Sequence, residues 1–210
     1  MELDRPLRVV TSTLDGDVLR VLALAETEFT PPEIHRLVGA HSIAGIRKGL
    51  ERLVLQGIVL QKGAGKGSLY QLNRDHLAAG AVIELSRMKE VLLVRLRKEL
   101  DEWEIRSDYA ALFGSAARND MQPDSDIDFF VVRPGDVEAD DDVWSEQLYE
   151  FEKTVRRWTG NSTNVLELGR TEVLEAAGNE DPVLVAISEE GIRIQGPAGF
   201  LRRKLAGVRS

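Results

Sequence analysis

Apolar residues near the start of the chain recur at helical intervals in three successive segments. Residues 15–26 have an acidic first turn and closely spaced apolar positions, and residues 30–39 begin with Thr-Pro and end at a glycine. In residues 42–57 the apolar positions line one helical face before another glycine. Two strand-like runs, residues 58–62 and 68–73, flank a glycine-rich turn, so the pattern predicts three helices and a β-hairpin.

The rest of the chain begins with one long helical pattern over residues 77–104, with a candidate break near Gly80, and then alternates between strand-like and helical runs. The predicted elements are strands at 109–114, 126–133, 164–169 and 191–196, a helix at 143–160 and short helices up to about residue 190. Such alternation indicates a sheet covered by helices. We therefore predict an α+β chain with a first domain (1–76), a connecting helix (77–104), a second domain with a small mixed sheet (105–196) and a basic C-terminal tail (197–210).

Charge is distributed unevenly along these 210 residues. The net charge of the chain is −8, yet residues 35–74 contain seven lysines and arginines against Glu51 alone. A local excess of positive charge is the electrostatic footprint of a nucleic-acid-binding surface. The chain has no cysteine, which excludes disulfides and thiolate metal sites and leads us to expect a cytoplasmic location. It has no uncharged run of spanning length, so we expect no membrane partner.

The order helix, helix, helix, hairpin over residues 14–74 resembles a winged helix-turn-helix domain. The resemblance implies that the third helix enters the major groove of DNA and that the hairpin wing touches the backbone or the minor groove. The residues at the matching positions, which we predict to bind DNA or RNA, are Ser42, Arg47, Lys48, Arg52, Lys62 and Lys66. The alternative is a solvated basic helix in a domain used for protein contacts.

Two aspartates stand at the start of a predicted strand. Asp126 and Asp128 are two residues apart, so both side chains leave the same face of the strand. Adjacent carboxylates repel unless a cation joins them, and Mg²⁺ prefers oxygen ligands and shares substrate phosphates. Gly114 and Ser115 end the preceding strand, where a bare backbone and a hydroxyl can bind phosphate, and Arg118 can add positive charge. Together these residues predict a nucleoside-triphosphate site with Mg²⁺.

The run Gly-Ser-Ala-Ala-Arg at 114–118, followed by Ser-Asp-Ile-Asp-Phe-Phe-Val at 125–131, resembles the motif of the minimal nucleotidyltransferases of the polymerase-β-like superfamily. The resemblance covers about residues 85–196 and includes the late Glu-Gly-Ile turn. One departure is Asn119, which stands where many relatives have glycine. Asparagine tolerates left-handed backbone geometry, so the loop can keep its shape.

This resemblance implies roles for individual residues. Asp126 and Asp128 would bind Mg²⁺ as the catalytic acids, and Gly114 and Ser115 would bind the triphosphate of the nucleotide. The family often has a third acid on an adjacent strand, which acts as a metal ligand or as a base toward the acceptor hydroxyl. Glu167, in the predicted strand Asn-Val-Leu-Glu-Leu-Gly, is the candidate for this role, because Leu166 and Leu168 would face the other way and leave Glu167 on the face of the aspartates; the alternative is a solvated strand carboxylate.

The resemblance leads us to expect an enzyme that transfers a nucleoside monophosphate from ATP or another NTP to a hydroxyl of a protein or nucleic acid. The basic first domain would couple this activity to nucleic acid, as in a toxin–antitoxin pair or a transcriptional regulator. The alternatives are a non-catalytic DNA-binding regulator or antitoxin that binds a nucleotide or a partner protein, and an enzyme that modifies aminoglycosides. The sequence leaves open the nucleotide base, the acceptor, the DNA site and the oligomeric state, including a homodimer.

Overall fold

The computed structural model describes residues 1–39, 41–65 and 67–207. The chain divides into two compact units. The first unit contains Glu2 and Asp4–Glu90, and the second contains Met1, Leu3 and the chain from Val91 onward. Along the described residues, no helix combines the length and the apolar character needed to cross a bilayer.

The first unit contains the three predicted helices and the predicted hairpin, in the predicted order. Its elements are a short 3-10 helix (Pro6–Val9), α1 (Leu14–Leu24), α2 (Pro31–Val38), α3 (Ile43–Leu55), β1 (Val59–Ala64), β2 (Gly67–Leu72) and α4 (Ala79–Ser86). Helix α2 begins at a capping box between Thr30 and Glu33, and α3 begins at Ser42, whose side chain accepts a hydrogen bond from the Gly45 N–H. The antiparallel strands β1 and β2 form the hairpin.

One apolar cluster holds the first unit together. Leu22 of α1, Ile34 of α2, and Ile46 and Leu50 of α3 are fully buried, and Tyr70 of β2 packs against the same cluster. The apolar residues that recur at helical spacing in the sequence are therefore the residues on the buried faces of the helices.

The second unit is built on a four-stranded mixed sheet. Its elements are α5 (Met88–Asp101), β3 (Tyr109–Phe113), α6 (Gly114–Arg118), β4 (Ile127–Arg133), α7 (Asp142–Thr159), β5 (Thr163–Gly169), α8 (Arg170–Gly178), α9 (Pro182–Glu190), β6 (Ile192–Gln195) and α10 (Phe200–Gly207). The strand order is β5-β4-β3-β6, in which β4 and β5 are parallel and the other neighbours are antiparallel. The predicted α+β class with a small mixed sheet is confirmed.

Helices cover both faces of this sheet. Ile127, Phe129 and Val131 of β4 lie in a core cluster with residues of α5 and α7. Phe130 and Val132, on the opposite face, lie in a cluster with residues of α8, α9 and α10. Strand β4 is therefore apolar on both sides, and hydrophobic alternation along its sequence does not distinguish the two faces.

Three segments differ from the sequence prediction. The predicted connecting helix is two helices, α4 and α5, which separate at Arg87 and not near Gly80; the Ser86 hydroxyl beside this break donates to the Val82 carbonyl. Residues predicted as a loop after Gly114 form the short helix α6. The predicted tail contains α10, in which Leu201 is buried and Phe200 stacks on Tyr109 with ring centroids 5.1 Å apart.

Candidate functional site

Three strands of the second unit bring their ends together at one edge of the sheet. Phe113, the last residue of β3, pairs with Asp128 near the start of β4. Asp128 in turn pairs with Asn164 near the start of the parallel strand β5. Because β3 runs antiparallel to β4, the chain leaving β3 at Gly114 enters α6 directly beside the aspartates.

The two aspartates converge on one side chain. Asn164 Nδ2 donates to Asp126 Oδ2 and to Asp128 Oδ1, at 3.1 Å in both cases. A single nitrogen reaches both carboxylates only if they lie side by side, as the alternation of side chains along a strand predicts. Within the described part of the chain, no lysine or arginine forms an ion pair with either aspartate. We call Gly114, Asp126, Asp128 and Asn164 the aspartate site.

Gly114 is the residue that lets Asp128 approach the start of α6. Its φ is +67°, in the left-handed region, and a Cβ built on it would lie 2.6 Å from Asp128 Oδ2. A side chain at this position would therefore meet both backbone strain and a direct clash. Ser115 follows as a half-buried residue in the first turn of α6. At the other end of α6, Asn119 has φ 62° and ψ 41°, the left-handed geometry expected of it from the sequence.

Arg118 is engaged with acidic groups of the chain. Its Nε donates to Asp120 Oδ2 at 3.2 Å, and a terminal guanidinium nitrogen donates to Glu190 Oε2 at 3.4 Å. The hydrogen bond that Arg118 donates to Asp120, together with the negative charges of Asp120 and Glu190, raises the pKa of Arg118. The side chain is exposed, so it can exchange these partners for a phosphate, but among the described residues it forms no ion pair with Asp126 or Asp128.

Glu167 does not share the face of the aspartates, and the expectation that it would is wrong. In the parallel register Glu167 pairs with Val131, whose side chain lies in the cluster on the opposite face from Phe130 and Val132. Its Oε1 accepts a 2.8 Å hydrogen bond from Arg133 Nε. Burial raises the pKa of Glu167, and the positive charge of Arg133 opposes that rise. Glu167 is therefore a partner of a buried arginine.

The aspartate site fits a cation, although its ligand set is small. The described residues contain no group of three or more His, Cys, Asp or Glu side chains placed to hold a metal ion. Two carboxylates and an amide nevertheless face one another, and the partial positive charge of the amide N–H already lies between the carboxylates. Hard oxygen ligands of this type suit Mg²⁺, which commonly completes its shell with water and substrate phosphate.

Asn164 is the site residue that sequence reasoning missed. The search for a third polar group on the adjacent strand considered only acids, and Asn164 is neutral. The alternation of side chains along β5 is a usable signal, because it puts Asn164 on the same face as Leu166 and Leu168. These two leucines face the cluster that contains Phe130 and Val132. An amide at the start of the strand, on the face shared with Asp128, therefore points to this position.

The predicted nucleic-acid residues occupy different environments in the first unit. Ser42 caps α3, so its hydroxyl is occupied by the Gly45 N–H at 3.1 Å. Arg47 and Lys48 are exposed on α3, and neither forms an ion pair within the described residues. Arg52 is held by Asp15.

The wing residues also differ from each other. Lys62 on β1 donates to Glu28 at 3.3 Å, in an exposed ion pair. Lys66, the other predicted wing residue, lies outside the described residues. Because Arg52 and Lys62 already have acidic partners, Arg47 and Lys48 are the strongest candidates for phosphate contacts in this set.

One family model matches part of the chain, and the similar solved structures include two crystal structures of toxin–antitoxins. The family model described as "Nucleotidyltransferase domain" matches residues 93–178. A crystal structure of a toxin–antitoxin with AMP-PNP is similar with 14% identity and a TM-score of 0.40, over 56% of this chain and 83% of that one. A crystal structure of a mutant of the toxin–antitoxin MntA-HpeT is similar with 12% identity and a TM-score of 0.39, over the same shares of the two chains.

No curated protein matches the sequence. The family match is thus the more informative of the comparisons, and it contains every residue of the aspartate site. Over residues 93–178, this chain is similar to nucleotidyltransferase domains.

Proposed function

We propose that the chain is a Mg²⁺-dependent nucleotidyltransferase, which moves a nucleoside monophosphate from ATP or another NTP to a hydroxyl of a protein or nucleic acid. The observation that carries the proposal is the convergence of Asp126 and Asp128, each 3.1 Å from the same Asn164 nitrogen, beside the turn at Gly114. The match of the surrounding residues to a nucleotidyltransferase domain supports it.

Five residues in or near the aspartate site would have a part in this reaction. Asp126 and Asp128 would hold the cation, which when bound would neutralise charge on the triphosphate. Gly114 would let the phosphates come close to the backbone, and the Ser115 hydroxyl would donate to a phosphate oxygen. Arg118 would leave Asp120 and Glu190 to bind a phosphate, since all three side chains are exposed.

The chemical step would be an in-line displacement at the α-phosphorus. The acceptor oxygen forms a bond to this phosphorus, and the bond from phosphorus to the bridging oxygen breaks. Pyrophosphate leaves with the electron pair, and the hydroxyl proton passes to water. The protein's contribution is to position the reactants and to stabilise the charge.

A second candidate function is nucleotide binding without transfer. The position of Glu167 favours it, because Glu167 faces the opposite side of the sheet and is paired with Arg133. Among the described residues, the face shared by Asp126 and Asp128 thus has an amide, Asn164, next to them on β5 instead of a carboxylate. A site of this kind would bind a nucleotide and leave the acceptor hydroxyl without a carboxylate base.

We propose a nucleic-acid-binding role for the first unit, as a winged helix-turn-helix domain. The order of α1, α2, α3 and the β1–β2 hairpin supports it, and so does the exposure of Arg47 and Lys48 on α3. The chain would then combine nucleotide chemistry with capture of nucleic acid, as a toxin–antitoxin component or a regulator. A protein encoded beside this chain is the first acceptor to test.

The test is Mg²⁺-dependent labelling with α-labelled NTPs. We expect the full chain to label itself, a co-encoded partner or an RNA, and we expect chelation of Mg²⁺ to abolish the label. The Asp126→Ala, Asp128→Ala double variant should lose labelling and keep its circular dichroism spectrum. If the wild-type chain labels none of these acceptors but binds ATP with Mg²⁺, the binding function replaces the transferase.

A further inference from the structure

We infer that Asn164 sets the cation capacity of the aspartate site. Its amide nitrogen holds the two carboxylates together in the absence of a cation, and its amide oxygen turns toward a single divalent cation when one binds. The inference rests on the proposed function, because it concerns the same two aspartates. It goes further by naming the third ligand and the number of cations.

The contacts of Asn164 suit such an exchange. Its Nδ2 donates to Asp126 and to Asp128 at 3.1 Å, so the amide occupies the position between the carboxylates where a cation would neutralise them. Asn164 is exposed, and the terminal torsion of an asparagine has a broad, roughly two-fold profile. Rotation about this torsion exchanges the nitrogen for the oxygen, which is a hard ligand of the kind that Mg²⁺ and Mn²⁺ accept.

The charge of the site limits it to one resident cation. Two carboxylates neutralise one divalent ion, and a second ion would require further anionic ligands. Glu167, the nearest acid along β5, faces the other side of the sheet and binds Arg133. Asn164 lies opposite Asp128 in the strand register, so the position where a third carboxylate would complete a two-ion site is neutral.

Substitution of Asn164 therefore has two opposite outcomes. Asn164→Asp places a third carboxylate beside the other two, which should tighten divalent-cation binding and provide for a second ion. Asn164→Leu removes the donor and the oxygen ligand, which leaves two like charges without a bridge and should weaken cation binding. Changes in ligands and their supports typically alter metal affinity by about 10-fold to 100-fold, so we expect at least about a 10-fold change in each direction.

The experiment is a titration of the full chain with Mn²⁺, in which free Mn²⁺ is measured by electron paramagnetic resonance. We expect one Mn²⁺ per wild-type chain, tighter binding with a second ion for Asn164→Asp, and weaker binding for Asn164→Leu. Asn179→Asp makes the same charge change at an exposed position after α8, and it should leave both affinity and stoichiometry as in the wild type. Circular dichroism checks that each variant is folded.

The outcomes separate the two proposals. If both Asn164 variants bind Mn²⁺ like the wild type, while the Asp126→Ala, Asp128→Ala double variant does not bind it, the inference on Asn164 is overturned and the proposed function stands. A wild-type chain that binds two Mn²⁺ ions also overturns the inference alone. If the wild-type chain binds no Mn²⁺, the inference is overturned, and the labelling experiment with Mg²⁺ and NTP decides the proposed function separately.

Discussion

Strands β4 and β5 are lined by carboxylates on both faces of the sheet, and the carboxylates on the two faces have different partners. On one face Arg133 donates to Glu167 at 2.8 Å and lies 3.6 Å from Glu172, a group that we call the arginine cluster. On the other face Asp126 and Asp128 meet only the neutral amide of Asn164, among the contacts that the described residues provide. One pair of acids has a cationic partner within the chain, and the other pair has none among the described residues.

This difference separates a structural cluster from a candidate site. Arg133 is only 8% exposed, so its charge is stable in the fold only because acids and a carbonyl satisfy it. Asp126 and Asp128 stand at the edge of the sheet, where water or a ligand can reach them. Acids that converge without a counterion from the chain leave room for a counterion from outside.

The largest effect should come from breaking the arginine cluster. Arg133→Met leaves Glu167 partly buried without its cation, and we expect a loss of about 3 kcal/mol in the free energy of unfolding at neutral pH. Urea denaturation followed by circular dichroism measures it.

The same variant should lose stability as pH rises. Burial raises the pKa of Glu167, and removing Arg133 removes the main opposing effect. A carboxyl whose pKa is higher in the folded state stabilises the fold while it is protonated, and this contribution is lost as pH rises from its ordinary value of about 4.3 to the raised value. The deficit of Arg133→Met relative to the wild type should therefore be smaller at low pH than at neutral pH; a pH-independent deficit would contradict this assignment.

A smaller effect should come from Gly114→Ala, compared with Gly160→Ala. Both glycines have left-handed φ values, +67° and +76°, but a Cβ on Gly160 meets nothing within 4 Å, whereas one on Gly114 would lie 2.6 Å from Asp128 Oδ2. We expect Gly114→Ala to cost about 1 kcal/mol more in unfolding free energy than Gly160→Ala, because only it adds a clash to the backbone strain.

The Gly114 variant should also bind Mn²⁺ more weakly, because Asp128 must move away from the new methyl group. Gly160→Ala should leave Mn²⁺ binding unchanged. Equal Mn²⁺ affinities for the two variants would mean that the position of Asp128 against Gly114 does not matter for the site.

The smallest effect concerns charges in the first unit, where Arg52 has an acidic partner and Arg47 and Lys48 have none among the described residues. The quantity to measure is the slope of the logarithm of the binding constant against the logarithm of salt concentration, for a mixed-sequence DNA duplex. Arg47→Ala and Lys48→Ala should each reduce the magnitude of this slope by about 1, the change expected for one lost phosphate contact. Arg52→Ala should change the slope less, because Asp15 already binds Arg52. Fluorescence anisotropy over a range of salt concentrations measures the slope for all three variants. Equal slopes for Arg47→Ala, Lys48→Ala and Arg52→Ala would contradict this prediction.

Much of the fold was predictable from the sequence. Helical spacing, the Thr30 cap and the glycine-rich hairpin turn predicted the first unit, because local chemistry decides these features. The break between α4 and α5 at Arg87 was not predictable, since the residues at the break include neither glycine nor proline. Helix α10 was missed because its stability depends on burial of Leu201 against distant residues.

The site was predictable only in part. The spacing of Asp126 and Asp128 was enough to place both carboxylates on one face, since side-chain direction alternates along a strand. The face of Glu167 depends on the register between β4 and β5, and a shift of one residue reverses it. Because β4 is apolar on both faces, its sequence contains no signal that fixes this register, whereas Asn164 was missed because only acids were candidates for the third ligand.

The central claim is that the converging aspartates, and not the acids of the arginine cluster, bind a nucleotide through a cation. Calorimetric titration of ATP into the full chain, with Mg²⁺ and with a chelator, tests it most directly. We expect binding only with Mg²⁺, a loss of about 100-fold or more in affinity for the Asp126→Asn, Asp128→Asn double variant, and no change for Glu167→Gln. Wild-type affinity in the double variant, or loss of binding in Glu167→Gln alone, would contradict the claim.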